Sequence, residues 1–392
     1  MTRGDDVPGF LCRLRDGWRF QPTVYSERMA QQGESGPESP TSASTSTIVK
    51  PPAPPLRVLV AGGGSWGTTV AHLCAHNAET TLWARDAVTV DAVNNEHRNP
   101  RYLPDYPLHP DLMATSDLEE VLERTDLLVM GVPTSAYRTT CEAIAPHLRP
   151  WVPVVSLAKG FEPGTMLRMS QIIEQVLPDR PVGVLTGPNL AKEIMAGHPT
   201  AAVIALADLN IARKLQQVFT TPTFRVFLHH DVIGCELGGA LKNIYAIAAG
   251  MVEGRGQGDN ARAAIITRGL AELIELGSRL GGEPLTLAGL AGMGDLIATC
   301  VSPQSRNSQV GRKLGTGMTV DDILAEMNQV AEGVKAAEVV NEMAQRHGVF
   351  MPIAEQVYAV CHRGQDADFA QDALLRGRLG HEQAVPGQSW PA

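Results

Sequence analysis

Hydrophobic and polar positions change their rhythm along this chain. From Leu56 onward, short and largely apolar runs alternate with longer stretches of helical spacing. Leu56 to Ala61 is the first run, and it ends in glycines. Thr68 to Ala78 follows with helical character, and Thr80 to Ala84 reads as a second strand. Further strands are expected at Asp126 to Pro133, Val152 to Leu157, Val182 to Leu185, Ala201 to Ala207 and Phe224 to Leu228. Apolar strands separated by helices predict a parallel sheet covered on both faces.

After about residue 231 the strand rhythm stops. Asn260 to Leu280 reads as a helix: Asn260 suits an N-cap, Ile265, Ile266, Leu270, Leu273 and Ile274 fall at helical spacing, and Gly281-Gly282 ends it. Val320 to Met327, Lys335 to His347 and Pro352 to Cys361 read the same way. The expected plan is an α/β domain over 56–230 followed by an all-α domain over 231–381. Residues 382–392 read as a loose tail. Residues 1–55 read as a disordered extension: Gln31 to Thr47 is almost wholly Gln, Gly, Glu, Ser, Pro and Thr, and a proline run closes it. Phe10, Leu11, Trp18, Phe20 and Tyr25 would suit a short docking element there, and Met29 offers an alternative start.

Composition narrows the function classes. A chain of 392 residues has room for two domains with sizeable cores. A net charge of −9 argues against a general nucleic-acid binder, while leaving room for a locally basic cleft. The six cysteines are scattered, without Cys-x-x-Cys or zinc-like histidine spacing, so no metal site is expected and a reducing compartment, the cytoplasm, is. Apolar runs fall short of a membrane span. The oligomeric state stays open, a homodimer among the options.

Chemistry enters with the glycines. Gly62, Gly64 and Gly67 form G-x-G-x-x-G directly after the first strand and at the opening of a helix. In that context the loop predicts a Rossmann-type doubly wound sheet binding a dinucleotide, with the pyrophosphate on the helix N-terminus. Arg85, at the tip of the second strand, suits a 2′-phosphate better than an acid would, which points to NADPH with NADH tolerated. Polar residues also gather at later strand ends, where open α/β sheets bind ligands: Lys159-Gly160 and Gly187 to Glu193.

The stretch Glu236 to Asn243 sits where the two patterns meet. Two glycines and an alanine precede Lys242 and Asn243, and an apolar run follows. A lysine inside an apolar helix either extends to water or is kept for its charge. Further on, Asp295 stands on a glycine-rich turn, and Thr299 and Ser302 to Asn307 gather hydroxyl, guanidinium and amide groups. Arg268 allows two readings, a surface pair with Glu272 or a fork on a phosphate. His198, His229 and His230 read as structural or exposed.

These motifs, in this order, resemble the bacterial NAD(P)-dependent glycerol-3-phosphate dehydrogenase family. The carrying residues are Gly62 to Thr68, Tyr102 to Pro104, Lys159-Gly160, Gly187-Pro188 with Ala191 to Glu193, Gly238 to Asn243, Gly258 to Arg262, Ile266 to Glu272, Gly294 to Leu296, Ser305 to Asn307 and Val330 to Gly333. The resemblance covers about residues 57 to 380. It implies reversible hydride transfer between NAD(P)H and dihydroxyacetone phosphate, giving sn-glycerol 3-phosphate for phospholipid synthesis. It also implies Lys242 as general acid/base, and Lys159, Gly187, Asn189, Asp295, Ser305, Arg306 and Asn307 around the substrate. Ser65, Trp66, Arg85, Tyr102, Lys159, Ala191, Arg306, Val330 and Glu332 would meet the cofactor, together with the glycine loop. Asn189 departs from the Ser or Thr usual in the family, and residues 1–55 have no family counterpart. Burial and a neighbouring cation, Lys159 or Arg306, would bring the Lys242 pKa towards neutrality, with Asn243 and Asp295 orienting it. Two competing readings are a dehydrogenase of the same plan acting on a 3-hydroxy acid, and a nucleotide-sensing protein without turnover.

Overall fold

The computed structural model describes residues 56–327 and 331–367. The expectations for 1–55, for Val330 and for 382–392 lie outside the described residues.

Eight strands make one sheet: β1 (Arg57–Ala61), β2 (Glu79–Trp83), β3 (Met113–Thr115), β4 (Leu127–Met130), β5 (Val154–Ser156), β6 (Val182–Thr186), β7 (Thr200–Leu206) and β8 (Phe224–His229). Their spatial order is β3-β2-β1-β4-β5-β6-β7-β8. The strand order reverses between β1 and β4, which pair in parallel with Leu59 opposite Leu128. That reversal opens the ligand crevice of a doubly wound sheet. β4 is buried along its whole length, as strands covered on both faces are.

One pairing differs from the expected parallel sheet. β6 and β7 run antiparallel, with Leu185 opposite Ile204. Only a short helix and a turn join them, which is less chain than a parallel crossover needs. β3, three residues long, carried no apolar run in the sequence and was not expected.

Among the strands lie α1 (Ser65–Ala75), α2 (Ala87–Glu96), α3 (Leu118–Leu122), α4 (Tyr137–Ile144), α5 (Met169–Val176), α6 (Ala191–Met195) and α7 (Leu209–Phe219). After β8 the regular elements among the described residues are helices: α8 (Val232–Gly254), α9 (Asp259–Arg279), α10 (Pro284–Leu287), α11 (Asp295–Val301), α12 (Arg306–Gly315), α13 (Val320–Glu326), α14 (Glu332–His347) and α15 (Pro352–His362). α9 starts one residue before Asn260, and its N-cap is Gly258. Before α11, Leu290–Gly294 forms a π-helical turn.

α8 is the axis of this second part. Every residue from Gly234 to Val252 is buried, because α9, α11, α12, α14 and α15 all pack around it. It is long and apolar enough to cross a membrane, yet it is a core helix enclosed by the fold. Its closest neighbour is α12. A Cβ on Gly250 would overlap the Ser308 carbonyl, one on Gly311 the Ile247 carbonyl, and one on Gly315 the Met251 carbonyl. These glycines let the two helix backbones touch. A small cluster of Val184, Val203, Ala205, Cys235 and Ala291 joins the sheet to α8 and the π turn.

Candidate active site

The glycine loop is built for close approach. Gly62 has φ 133°, a conformation side chains disfavour, and a Cβ there would overlap the Gly131 backbone at the end of β4. Gly67 sits directly on the Gly62 carbonyl, locking α1 against the turn. At Gly64, by contrast, a Cβ would meet nothing within 4 Å. Gly64 caps α1 without a side-chain hydrogen bond, and the first turn carries no acid. The N-terminal amides of α1 are thus left for an anion. Ser65 and Trp66 lie half-buried on that turn, and the buried Trp66 Nε1 has no hydrogen-bond partner among the described residues. Tyr102 lies in a turn that Asn99 ties to the loop. The Asn99 amide donates to the Gly63 carbonyl at 2.9 Å and to Thr68 Oγ1 at 2.8 Å, and its Oδ1 accepts from the Tyr102 N–H at 3.1 Å. Arg85 is exposed just beyond the tip of β2. These residues fit a dinucleotide whose pyrophosphate lies on α1.

A second group assembles from four elements. Lys159 follows β5, Gly187 follows β6, Lys242 lies on α8, and Asp295 opens α11. Asp295 is 2% exposed and bridges the two lysines: its Oδ1 accepts from Lys242 Nζ at 2.5 Å and its Oδ2 from Lys159 Nζ at 2.7 Å. Lys159 Nζ also donates to the Gly187 carbonyl at 3.0 Å. Lys242 Nζ donates to Thr299 Oγ1 at 2.6 Å, and that hydroxyl donates in turn to the Asp295 carbonyl. Burial lowers the Lys242 pKa to about 8, helped by the Lys159 charge and opposed by Asp295. One carboxylate for two ammonium groups leaves the cleft net positive, which favours an anionic ligand.

The other residues expected at the site lie on neighbouring elements. Asn189 is half-buried, and its Oδ1 has no partner among the described residues. Ala191 starts α6 beside it. Ser305 is buried and serves as the N-cap of α12, its Oγ accepting from the Ser308 N–H at 3.2 Å. Arg306 is the exposed first residue of α12. Asn307 is buried, and its Oδ1 accepts from the Gly333 N–H at 3.0 Å, tying α12 to the start of α14. Glu332 begins α14; burial raises its carboxyl pKa, offset by Arg306 and by both cleft lysines, so these groups share one electrostatic environment.

Some local expectations change. Gly238 and Gly239 lie inside α8, about two turns past its start. Gly238 admits the backbone of Ala291, and Gly239 faces the Lys159 stem, so both glycines bring neighbours against the helix that carries Lys242. Arg268 is exposed, whereas Glu272 is buried and feels the Arg268 charge only as a minor influence, so the two are not a pair on the surface. The buried Glu272 carboxylate instead accepts the Ile353 and Ala354 amides at the start of α15.

Three residues took no individual role in the sequence reading. Thr299 was signalled by its spacing, four residues after Asp295 on one helix face. Thr186, buried at the end of β6 with a hydroxyl that has no partner among the described residues and lies beside Gly239 and Lys159, carried no signal beyond its strand-end position. Asn99 carried none: nothing in a loop sequence marks a fully buried amide.

The chain matches two family models in tandem. Residues 57–212 match the NAD-dependent glycerol-3-phosphate dehydrogenase N-terminus, and residues 231–371 match the C-terminus of the same family. A protein from Sphingopyxis alaskensis named glycerol-3-phosphate dehydrogenase [NAD(P)+] 2 is 54% identical over 332 residues, covering 85% of this chain and 99% of the relative. One from Mycobacterium avium, named glycerol-3-phosphate dehydrogenase [NAD(P)+], is 50% identical over 327 residues, covering 83% and 96%. The crystal structure of glycerol-3-phosphate dehydrogenase from Coxiella burnetii superposes with a TM-score of 0.78 at 36% identity, covering 82% of this chain and 99% of that one.

Proposed function

Since the chain belongs to the NAD-dependent glycerol-3-phosphate dehydrogenase family, we propose that Lys242 is the group that moves the proton in its reaction. The reaction is the reversible reduction of dihydroxyacetone phosphate to sn-glycerol 3-phosphate with NADPH or NADH, which supplies glycerophospholipid synthesis. The observation that carries the proposal is the buried Lys242 ammonium held between Asp295 and Thr299.

Reducing a ketone needs a hydride on carbon and a proton on oxygen. The nicotinamide, when bound, supplies the hydride. Lys242 supplies the proton from Nζ to the ketone oxygen, and a pKa of about 8 suits both directions of a reversible step. Asp295 and Thr299 fix the direction in which that ammonium points. Lys159 holds the substrate end of the cleft, with Gly187, Asn189, Ser305, Arg306 and Asn307 receiving the rest of the substrate. Arg306 and Asn307 offer a guanidinium and an amide to the phosphate. Gly62, Gly64, Ser65, Trp66, Gly67, Arg85, Tyr102, Ala191, Val330 and Glu332 form the cofactor side of the same reading, with Lys159 and Arg306 shared. Residues 56–230 then carry the cofactor and residues 231–381 the proton donor. Placement in the cytoplasm belongs to the same proposal and rests on the free, buried state of Cys74, Cys141, Cys235, Cys300 and Cys361.

The test is a spectrophotometric assay with dihydroxyacetone phosphate beside a panel of keto acids. Wild type oxidises NADPH only with the phosphorylated ketone. Lys242→Ala lowers kcat by about 10²–10⁴-fold with cofactor binding retained. Near-normal turnover in that variant removes the lysine from the mechanism.

A further inference from the structure

The turn after α2 bears on cofactor choice. Asn99 is fully buried, and its three hydrogen bonds seat this turn on the glycine loop. The loop itself lies against the end of β2, since a Cβ on Gly63 would fall 2.7 Å from that of Ala84. Two arginines flank this corner. Arg85 follows Ala84, and Arg101 stands on the turn with its guanidinium 5.3 Å from the Tyr102 ring centroid. Both are exposed, and neither forms an ion pair with the described residues. Asp86, the acid nearest the strand tip, is already engaged: it caps α2, accepting from the Thr89 N–H at 3.2 Å and Thr89 Oγ1 at 2.6 Å. Only Oδ2 takes part in that cap, so the choice between a 2′-hydroxyl and a 2′-phosphate at this corner rests on the two arginines and not on the absence of a carboxylate.

We propose that Arg101 acts with Arg85 as a two-guanidinium clamp for the 2′-phosphate of NADPH, so that this chain selects NADPH over NADH. The inference rests on the dehydrogenase reading and adds Arg101 as a specificity residue and Asn99 as the residue that positions its turn. Paired guanidinium forks suit a phosphate dianion, and a hydroxyl in its place leaves them unneutralised. The charge of Arg101 already reaches this corner: the Asp86 carboxyl is held below its usual range chiefly by its hydrogen bond from Thr89, with Arg101 contributing.

Binding measurements test this apart from turnover. Dissociation constants for NADPH, NADH, adenosine 2′,5′-bisphosphate and 5′-ADP are measured by calorimetry on the full chain. Wild type binds NADPH at least about tenfold more tightly than NADH, and the 2′,5′-bisphosphate more tightly than 5′-ADP. Arg101→Ala weakens NADPH by about tenfold and NADH by less than about twofold, and Arg101→Lys falls between. Equal weakening of both cofactors, or no change in Arg101→Ala, overturns the clamp. Arg101 is exposed, so a thermal melt matching wild type confirms that the variant is folded. If the binding pattern holds but dihydroxyacetone phosphate is not reduced, the dehydrogenase reading fails while the clamp stands.

Discussion

Lys242 depends on a balance among three charges. Burial and Lys159 push its proton off, while Asp295 holds it on, and the outcome is a pKa of about 8 rather than the 10.5 of a free lysine. The sign of the pH dependence follows. Ketone reduction needs the ammonium, so its rate falls as pH rises through about 8. Oxidation of sn-glycerol 3-phosphate needs the neutral amine, so its rate climbs through the same region. Opposed profiles from pH 6.5 to 9.5 are the expected result, and flat profiles in both directions would sink the assignment. Asp295 cannot be replaced cheaply: its removal leaves two ammonium groups facing each other in a buried cleft. At this scale the sequence was informative about Lys242, because a lysine in an apolar run is conspicuous. It was silent about Asn99, whose importance comes from burial alone.

At the scale of elements, the α8–α12 contact decides whether the two halves of the substrate site meet. Lys242 rides on α8, and Arg306 and Asn307 ride on the first turn of α12. Glycines at positions 250, 311 and 315 let those backbones touch. Gly311→Ala puts a methyl group into the Ile247 carbonyl and forces the helices apart. Overpacking of this kind costs about 1–3 kcal/mol, and displacing a positioning residue by about 1 Å costs up to about 10²-fold in rate. The variant is expected to melt lower and to show a raised KM for dihydroxyacetone phosphate. A wild-type melting temperature and KM would show that the contact does not matter. The helices were visible in their periodicity, although α14 begins three residues earlier than Lys335 and β3 was missed. Their mutual approach was not visible, since a glycine four residues from another reads the same in a packed helix and in a loop. The antiparallel β6–β7 pair was hidden for a related reason: apolar content marks a strand as buried without giving its direction.

Across the whole molecule, one histidine cluster contributes a pH-dependent part of the stability. His72 on α1, His76 at its C-cap and His109 on the loop between α2 and β3 lie within 4.5–6.4 Å of one another, centroid to centroid. His72 Nδ1 accepts the His109 backbone N–H at 2.9 Å, which a protonated ring cannot do. Burial, with the neighbouring His76 and His109, lowers the His72 pKa to about 4 from 6.5. Between those values the unfolded chain binds a proton that the folded chain refuses. Stability from this group is therefore complete above about pH 6.5 and declines as the pH falls towards 4. Urea unfolding at pH 7.5, 6 and 5 should show that decline, and His72→Gln, which can still accept the bond, should flatten it. An unchanged slope in the variant assigns the acid sensitivity elsewhere. The two-part plan was legible at this scale because strand rhythm stops at about residue 231 in the sequence and β8 ends at His229 in the fold.

The placement of Lys242 on α8 has a kinetic consequence. A reactive group on a surface loop can be lost and regained by local fluctuation while the rest of the molecule stays folded. Here the proton donor sits in the helix around which α9, α11, α12, α14 and α15 are gathered. Its geometry can open only when that assembly opens. The amides of α8 should be among the slowest to exchange with deuterium, and on refolding from denaturant the return of turnover should wait for the last cooperative step rather than accompany early recovery of helix.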